Sequence, residues 1–123
     1  MSPRASATAH ELARVGLLAP LAGEPLSRLA ARMTREDVAA GSAIVEEGED
    51  GLRFYVLLSG MLTVSQATLG PRRVLRPGDY FGEVALAMDV PRTASVRALT
   101  PATVASCDLA TFEEFVRPLF AES

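Results

Sequence analysis

The chain has no lysine: all twelve of its basic side chains are arginine, set against fifteen acids for a net charge of −3. It therefore lacks the cationic surplus that neutralises a polynucleotide backbone, which argues against DNA or RNA as a partner of this chain alone. A single cysteine, Cys107, excludes an internal disulfide. In an apolar strand it reads as an inert core thiol, and a reducing, cytoplasmic setting suits it. A single histidine, His10, lies ahead of the β-rich region and reads as a helix-surface residue. One histidine so placed cannot build a histidine-rich metal centre or a Ser–His–Asp or Cys–His nucleophile set. No catalytic residue, metal or cofactor is expected. No apolar run approaches the length of a membrane span, and the N-terminus lacks a secretory apolar core. Arginine without lysine, together with abundant alanine, points to a GC-rich bacterial genome.

What is present is apolar and finely divided. At 123 residues and 49% hydrophobic content the chain suits one domain with one core. Residues 1–9 read as a loose lead-in and 10–123 as the domain. Apolar spacing predicts a helix from His10 to Leu21 and a second from Pro25 to Met33, with proline at its first position. Short strands follow at Glu36 to Val38, Ser42 to Val45, Phe54 to Ser59 and Met61 to Gln66. Ser59-Gly60 reads as a tight hairpin turn between the last two. Glu46 to Leu52 is an acidic loop whose carboxylates match no calcium-loop spacing. Gly70-Pro71 signals a turn, Val74-Leu75 a short strand, and Ser95 to Leu99 and Thr103 to Leu109 two more. Thr111-Phe112-Glu113-Glu114 reads as a capping box opening a final helix. Many short strands at this spacing suggest a mainly β fold with flanking helices, best a jelly roll.

The richest chemistry lies between Phe81 and Ser95. Gly82 lets backbone amides approach a ligand without an obstructing Cβ. Glu83 to Met88 form about one helical turn, whose first amides and dipole suit a phosphate, and Pro91 helps to end it. Arg92 supplies a planar fork of donors for that phosphate, Thr93 a hydroxyl and Ala94 an unobstructed N–H. Glu83 would be repelled by a bare phosphate, but it makes sense facing a sugar hydroxyl while Arg92 neutralises the anion. A 3′,5′-cyclic nucleotide leaves the 2′-OH as its only ribose hydroxyl, and acids read ribose hydroxyls in dinucleotide sites in this way. Alone, a Gly-Glu pair followed by an arginine would be a solvated surface turn; it is the combination that carries chemistry.

This segment resembles the phosphate-binding cassette of the cyclic nucleotide-binding domain family, which includes protein kinase A regulatory subunits, cyclic nucleotide-gated channels and catabolite activator proteins. The family pattern, Phe-Gly-Glu-aliphatic-Ala-Leu, a short turn, then Pro-Arg-small-Ala-Ser/Thr-Val, is matched from Phe81 to Val96. Ala40-Gly41-Ser42, Ser59-Gly60 and Pro77-Gly78-Asp79 also fit it, so the likeness runs from about Leu17 to Phe120. The resemblance implies a double-stranded β-helix (jelly roll) holding cAMP, with cGMP left open by Thr93. Arg92 would bind the cyclic phosphate and Glu83 the 2′-OH. Phe81, Gly82, Val84, Ala85, Thr93 and Ala94 would complete the ligand-binding set. It implies a regulatory switch, not an enzyme, serving an output domain or a homodimer. The alternative is a ligand-free jelly-roll interaction or dimerisation module. One of Arg72, Arg73 and Arg76 could border the purine, though a solvated hairpin accounts for them as well. The family's base-covering lid helix would be starting where this chain stops, so the expectation is an isolated domain, a fragment or a reduced form with that helix largely absent.

Overall fold

Two strands carry small or apolar side chains at nearly every position, and they form the spine of the fold. In a computed structural model, which describes residues 5–48, 53–67, 70–83 and 94–121, these are β4 (Arg53–Ser59) and β9 (Ala102–Asp108). They pair antiparallel, with Tyr55 opposite Ser106 and Leu57 opposite Val104. Strand side chains alternate between faces, so a run of apolar residues must be buried on both. On one face Phe54, Val56, Ala105 and Cys107 join a core with the helices. On the other, Leu57, Val104 and Ala102 join a second core inside the barrel.

The remaining strands are β1 (Ala5–Ser6), β2 (Thr34–Val38), β3 (Ala43–Val45), β5 (Leu62–Gln66), β6 (Gly70–Leu75), β7 (Tyr80–Phe81) and β8 (Ser95–Ala98). Among the described residues they form one sheet in the order β1-β2-β9-β4-β7 and another in the order β3-β8-β5-β6, all neighbours antiparallel. The inner faces of both sheets meet at Val45, Leu57, Leu62, Leu75, Phe81, Val96 and Val104. Against the outer face of the first sheet lie α1 (Ala9–Leu12), a 3₁₀ turn (Gly16–Leu21), α2 (Glu24–Ala31) and a C-terminal helical segment. This is the mainly β architecture with flanking helices that the strand spacing predicts.

Several expectations are corrected. The lead-in over 1–9 is not loose from Ala5 onward: Ala5 and Ser6 pair with Arg35 and Thr34, and Ala7 is buried and donates to the Met33 carbonyl at 3.2 Å. Thr8 and Glu11 form a reciprocal capping box that opens α1. The helix expected from His10 to Leu21 splits in two: the α-helical turn ends by Ala13, and the chain restarts as a 3₁₀ turn through Gly16 and Pro20. Gly70-Pro71 is not a turn but the start of β6, an edge strand, where proline is tolerated. The C-terminal helix is capped by Asp108, whose carboxylate accepts the Thr111 N–H at 2.9 Å, so Thr111 is buried within the first turn and makes no cap. The helix then widens to π geometry over Phe112–Val116 and resumes as Arg117–Ala121. Pro118 cannot donate to the Glu114 carbonyl, which accounts for wide turns just before it.

Ser59-Gly60 is the most instructive correction. β4 and β5 do not pair with one another; they belong to different sheets, and Gly60 is the corner between them. Its φ is +83°, and a Cβ there would lie 2.3 Å from the Pro101 carbonyl oxygen and 2.7 Å from the Ala102 Cα. Met61 closes the corner from the other side, donating to the Thr100 hydroxyl and accepting from the Leu99 and Thr100 amides.

Two stability predictions follow from this geometry. Gly60→Ala combines backbone strain with a backbone clash and should cost more than about 2 kcal/mol in a urea melt. Gly41→Ala, also at positive φ (+87°) but with open space around it, carries only the strain, about 1–2 kcal/mol. Equal losses would remove the close-approach argument. At the helix cap, the backbone N–H of Thr111 is the main reason the Asp108 carboxyl titrates below its ordinary 3.8. A lowered folded pKa gives stability that is complete above that ordinary value and lost as pH falls through the folded one. Asp108→Ala should therefore cost about 1 kcal/mol at neutral pH, with the gap to wild type closing in strong acid.

Candidate functional site

The segment singled out by sequence hangs from β7, a strand of only two residues. Its register on β4 sets Phe81 opposite Tyr55 and Tyr80 opposite Val56. Phe81 enters the barrel core, 7% exposed, and lies flat on Tyr55 with ring centroids 4.8 Å apart and planes 1° from parallel. Tyr80 points the other way into the helical layer, where its ring meets Phe54 at 5.9 Å and Phe120 at 5.6 Å. A slip by one residue would exchange the two rings between faces, so burial on both sides fixes the register.

The preceding turn aims the strand. The Arg76 amide donates to the Asp79 carboxylate at 2.8 Å, and the Asp79 amide donates back to the Arg76 carbonyl at 2.9 Å. Gly78 at φ +99° donates to the Leu57 carbonyl, and the Leu57 amide donates to the Asp79 carbonyl. The expected Pro77-Gly78-Asp79 turn is thus stitched to β4 just ahead of β7.

Beyond Phe81 the chain turns through Gly82 at φ +97°, a left-handed conformation suited to glycine. Glu83 follows, half-buried, as the chain becomes helical. Of the expected ligand-binding residues, Phe81, Gly82, Glu83 and Ala94 are described; Val84, Ala85, Arg92 and Thr93 lie outside the described residues. The chain reappears at a half-buried Ala94 and enters β8 at Ser95, followed by Val96, which is 3% exposed and in the same barrel core as Phe81. Both ends of the segment are therefore tied into one core.

The described residues of the acidic loop after β3 are exposed as the sequence predicts, but Glu47 is also tied to the fold by hydrogen bonds. The Glu47 amide donates to the Ser95 hydroxyl at 2.9 Å, and its carboxylate accepts the Ala67 amide at 2.9 Å. No periodicity announces this, because both bonds join residues far apart in sequence. His10 is exposed on α1 as expected, and Arg73 and Arg76 are exposed. Among the described residues no cluster with metal-ligand character occurs. Cys107 is fully buried, and burial pushes its thiol up to about 12, with Arg53 opposing the rise and Asp108 adding to it. It is an inert core thiol. No helix among the described residues is long and apolar enough to cross a membrane.

The family model for the cyclic nucleotide-binding domain matches residues 35–118, from β2 into the C-terminal helix. The chain belongs to this family. It is 40% identical over 104 residues to the cAMP-dependent protein kinase regulatory subunit of Debaryomyces hansenii, covering 85% of this chain and 23% of that protein. The chain thus spans about a quarter of that curated relative. Among solved structures it superposes on cAMP-bound PfPKA-R with a TM-score of 0.83 and 27% identity, covering 90% of this chain and 39% of that one. It superposes on PKAR CBD2 bound to Sp-2Cl-cAMPS with a TM-score of 0.81 and 28% identity, covering 89% and 74%. The neighbours carry the jelly-roll fold expected of the strand pattern, and the segment from Phe81 to Val96 lies within the family-matched residues.

Proposed function

We propose that this cyclic nucleotide-binding domain holds cAMP, with cGMP second, in the segment from Phe81 to Ala94, and that ligand capture moves its terminal helices. One observation carries the reading. The Glu83 and Arg92 pair is intact in the family-matched segment, and that segment departs from the barrel through a left-handed Gly82 and returns to the same core at Val96. Arg92 matches the single negative charge of a cyclic phosphodiester, helped by amides at the start of the turn after Gly82. Glu83 accepts the 2′-OH. Phe81, Val84 and Ala85 wall the pocket, while Thr93 and Ala94 add donors.

A ligand shifts a conformational equilibrium only through unequal affinity for the two states. Here the phosphate draws the turn from Glu83 to Met88 inward, and Leu86 moves against the helix bearing the buried Phe112 and Phe115. The contact of Tyr80 with Phe120 supports such coupling, since it joins the residue before Phe81 to the last turn of that helix. The domain, which takes in the chain from Ala5 onward, works as a regulatory module in the cytoplasm, and its signal passes to an output domain or a second copy of the chain. The regulatory subunit to which it is similar supports a binding role over a catalytic one. Arginine-only usage supports a GC-rich bacterial source, whereas that curated relative is fungal.

Calorimetric titration with cAMP, cGMP and AMP tests the reading: heat with the cyclic nucleotides and none with AMP is expected, and silence from all three returns the ligand-free docking module. Arg92→Ala should cost about 2–5 kcal/mol of cAMP binding, because it removes the charged partner of the phosphate. Glu83→Ala should weaken cAMP more than its 2′-deoxy analogue; equal losses for both would take Glu83 away from the sugar.

A further inference from the structure

The cassette rejoins the four-stranded sheet at Ser95, the first residue of β8, and β8 lies between β3 and β5. Glu47 leaves the end of β3 on one side of β8, and Ala67 leaves the end of β5 on the other. The Glu47 amide binds the Ser95 hydroxyl at 2.9 Å, and its carboxylate continues across to the Ala67 amide, also at 2.9 Å. One residue thus crosses the first residue of β8 from flank to flank. It ties three strand ends together where the ligand-binding segment returns to the sheet.

We propose that Glu47 is a positioning residue of the cyclic-nucleotide site, a strap that holds the exit of the cassette and the β5–β6 turn in the ligand-competent arrangement. This role rests on the proposed function. The strap acts at a point where the strands alone leave the chain least constrained. Ser95 pairs with Ser65 on the β5 side, whereas the β3 ladder is irregular and ends with Val45 opposite Val96. The Glu47 amide supplies the missing tie to Ser95 on the β3 side. Its carboxylate gives the Ala67 amide a charged acceptor, the stronger kind of hydrogen bond. Ala94, one of the expected phosphate donors, is directly bonded to the residue being held.

The charge of Glu47 works against this role, and the opposition makes the role testable. A carboxylate near an anion site lowers the local potential, though solvent screens it at an exposed position. Glu47→Gln removes the charge but keeps a side-chain oxygen for the Ala67 amide. Glu47→Ala removes both.

The experiment is cAMP and cGMP titration of the whole chain as wild type, Glu47→Gln and Glu47→Ala, with hydrogen exchange at the Ala67 amide read in each without ligand. Glu47→Gln should bind as tightly as wild type or slightly more tightly, with Ala67 still protected. Glu47→Ala should lose about tenfold in affinity, the worth of one charge-assisted bond and the order it imposes, with Ala67 exchanging freely. Ser95→Ala should lose affinity in the same direction, and Ser95→Thr, which keeps the hydroxyl, should retain it. If both Glu47 variants gain affinity equally, the residue acts only through its charge and the strap is overturned. Wild-type binding and Ala67 protection in Glu47→Ala also overturn it while leaving the proposed function intact. A wild-type chain that takes up neither nucleotide overturns the proposed function and this role together.

Discussion

The register of β7 on β4 is the constraint on which the rest of the site depends. Two residues make too short a strand to be held by its hydrogen bonds alone. What holds it is that Phe81 and Tyr80 are both aromatic and are wanted on opposite faces, one by the barrel and one by the helices. Aromatic side chains bury large areas, so turning both rings the wrong way would expose one and crowd the other. The flat stacking of Phe81 on Tyr55 then fixes where the chain stands when it reaches Gly82. A ligand cradle built from backbone amides needs that precision, because its donors have no side-chain freedom with which to correct an error.

Much of this was legible in sequence, and the boundary between what was and was not is physical. The segment from Phe81 to Ser95 stands out in sequence because its residue types are local: a glycine, an acid and an arginine within one short span. The strand from Phe54 to Ser59 was legible, and its uninterrupted apolar run is what the structure buries on both faces. Contacts made across the fold were not legible. Ser59-Gly60 has the composition of a hairpin turn, and only the approach of Pro101 and Ala102 shows that it is a corner between sheets. The cap is a local contact three residues long, yet the residue types alone do not rank Asp108 above Thr111; the end of β9 at Asp108 does. Pro71 reads as a breaker until the strand order puts it on an edge. The two bonds of the exposed Glu47 could not be read, because neither of its partners lies near it in sequence.

The charge distribution suits a small ligand more than a polymer. A net charge of −3 repels polyanions at long range, yet a monoanion needs only a local excess of donors at contact distance. The two demands are compatible because backbone amides carry no net charge. The proposed site, an amide-lined turn with one arginine, would therefore be selective in a way that a general basic patch is not.

The sheet that carries β7 separates the barrel interior from the helices. The face of β4 that carries Tyr55 and Leu57 looks into the barrel, and the face that carries Phe54 and Val56 looks toward α1, α2 and the C-terminal segment. A signal from ligand to helix must therefore pass around the sheet edge or through it. The edge strand β7 offers both routes at once. Its Phe81 begins the cassette, while its Tyr80, covalently the next residue, touches Phe54 and Phe120. Packed rings transmit displacement because close-packed interiors do not compress. Any shift that the cassette imposes on Phe81 is thus felt on the opposite face within one peptide unit. The helix that carries Phe120 is the one widened to π geometry over Phe112–Val116, ahead of Pro118.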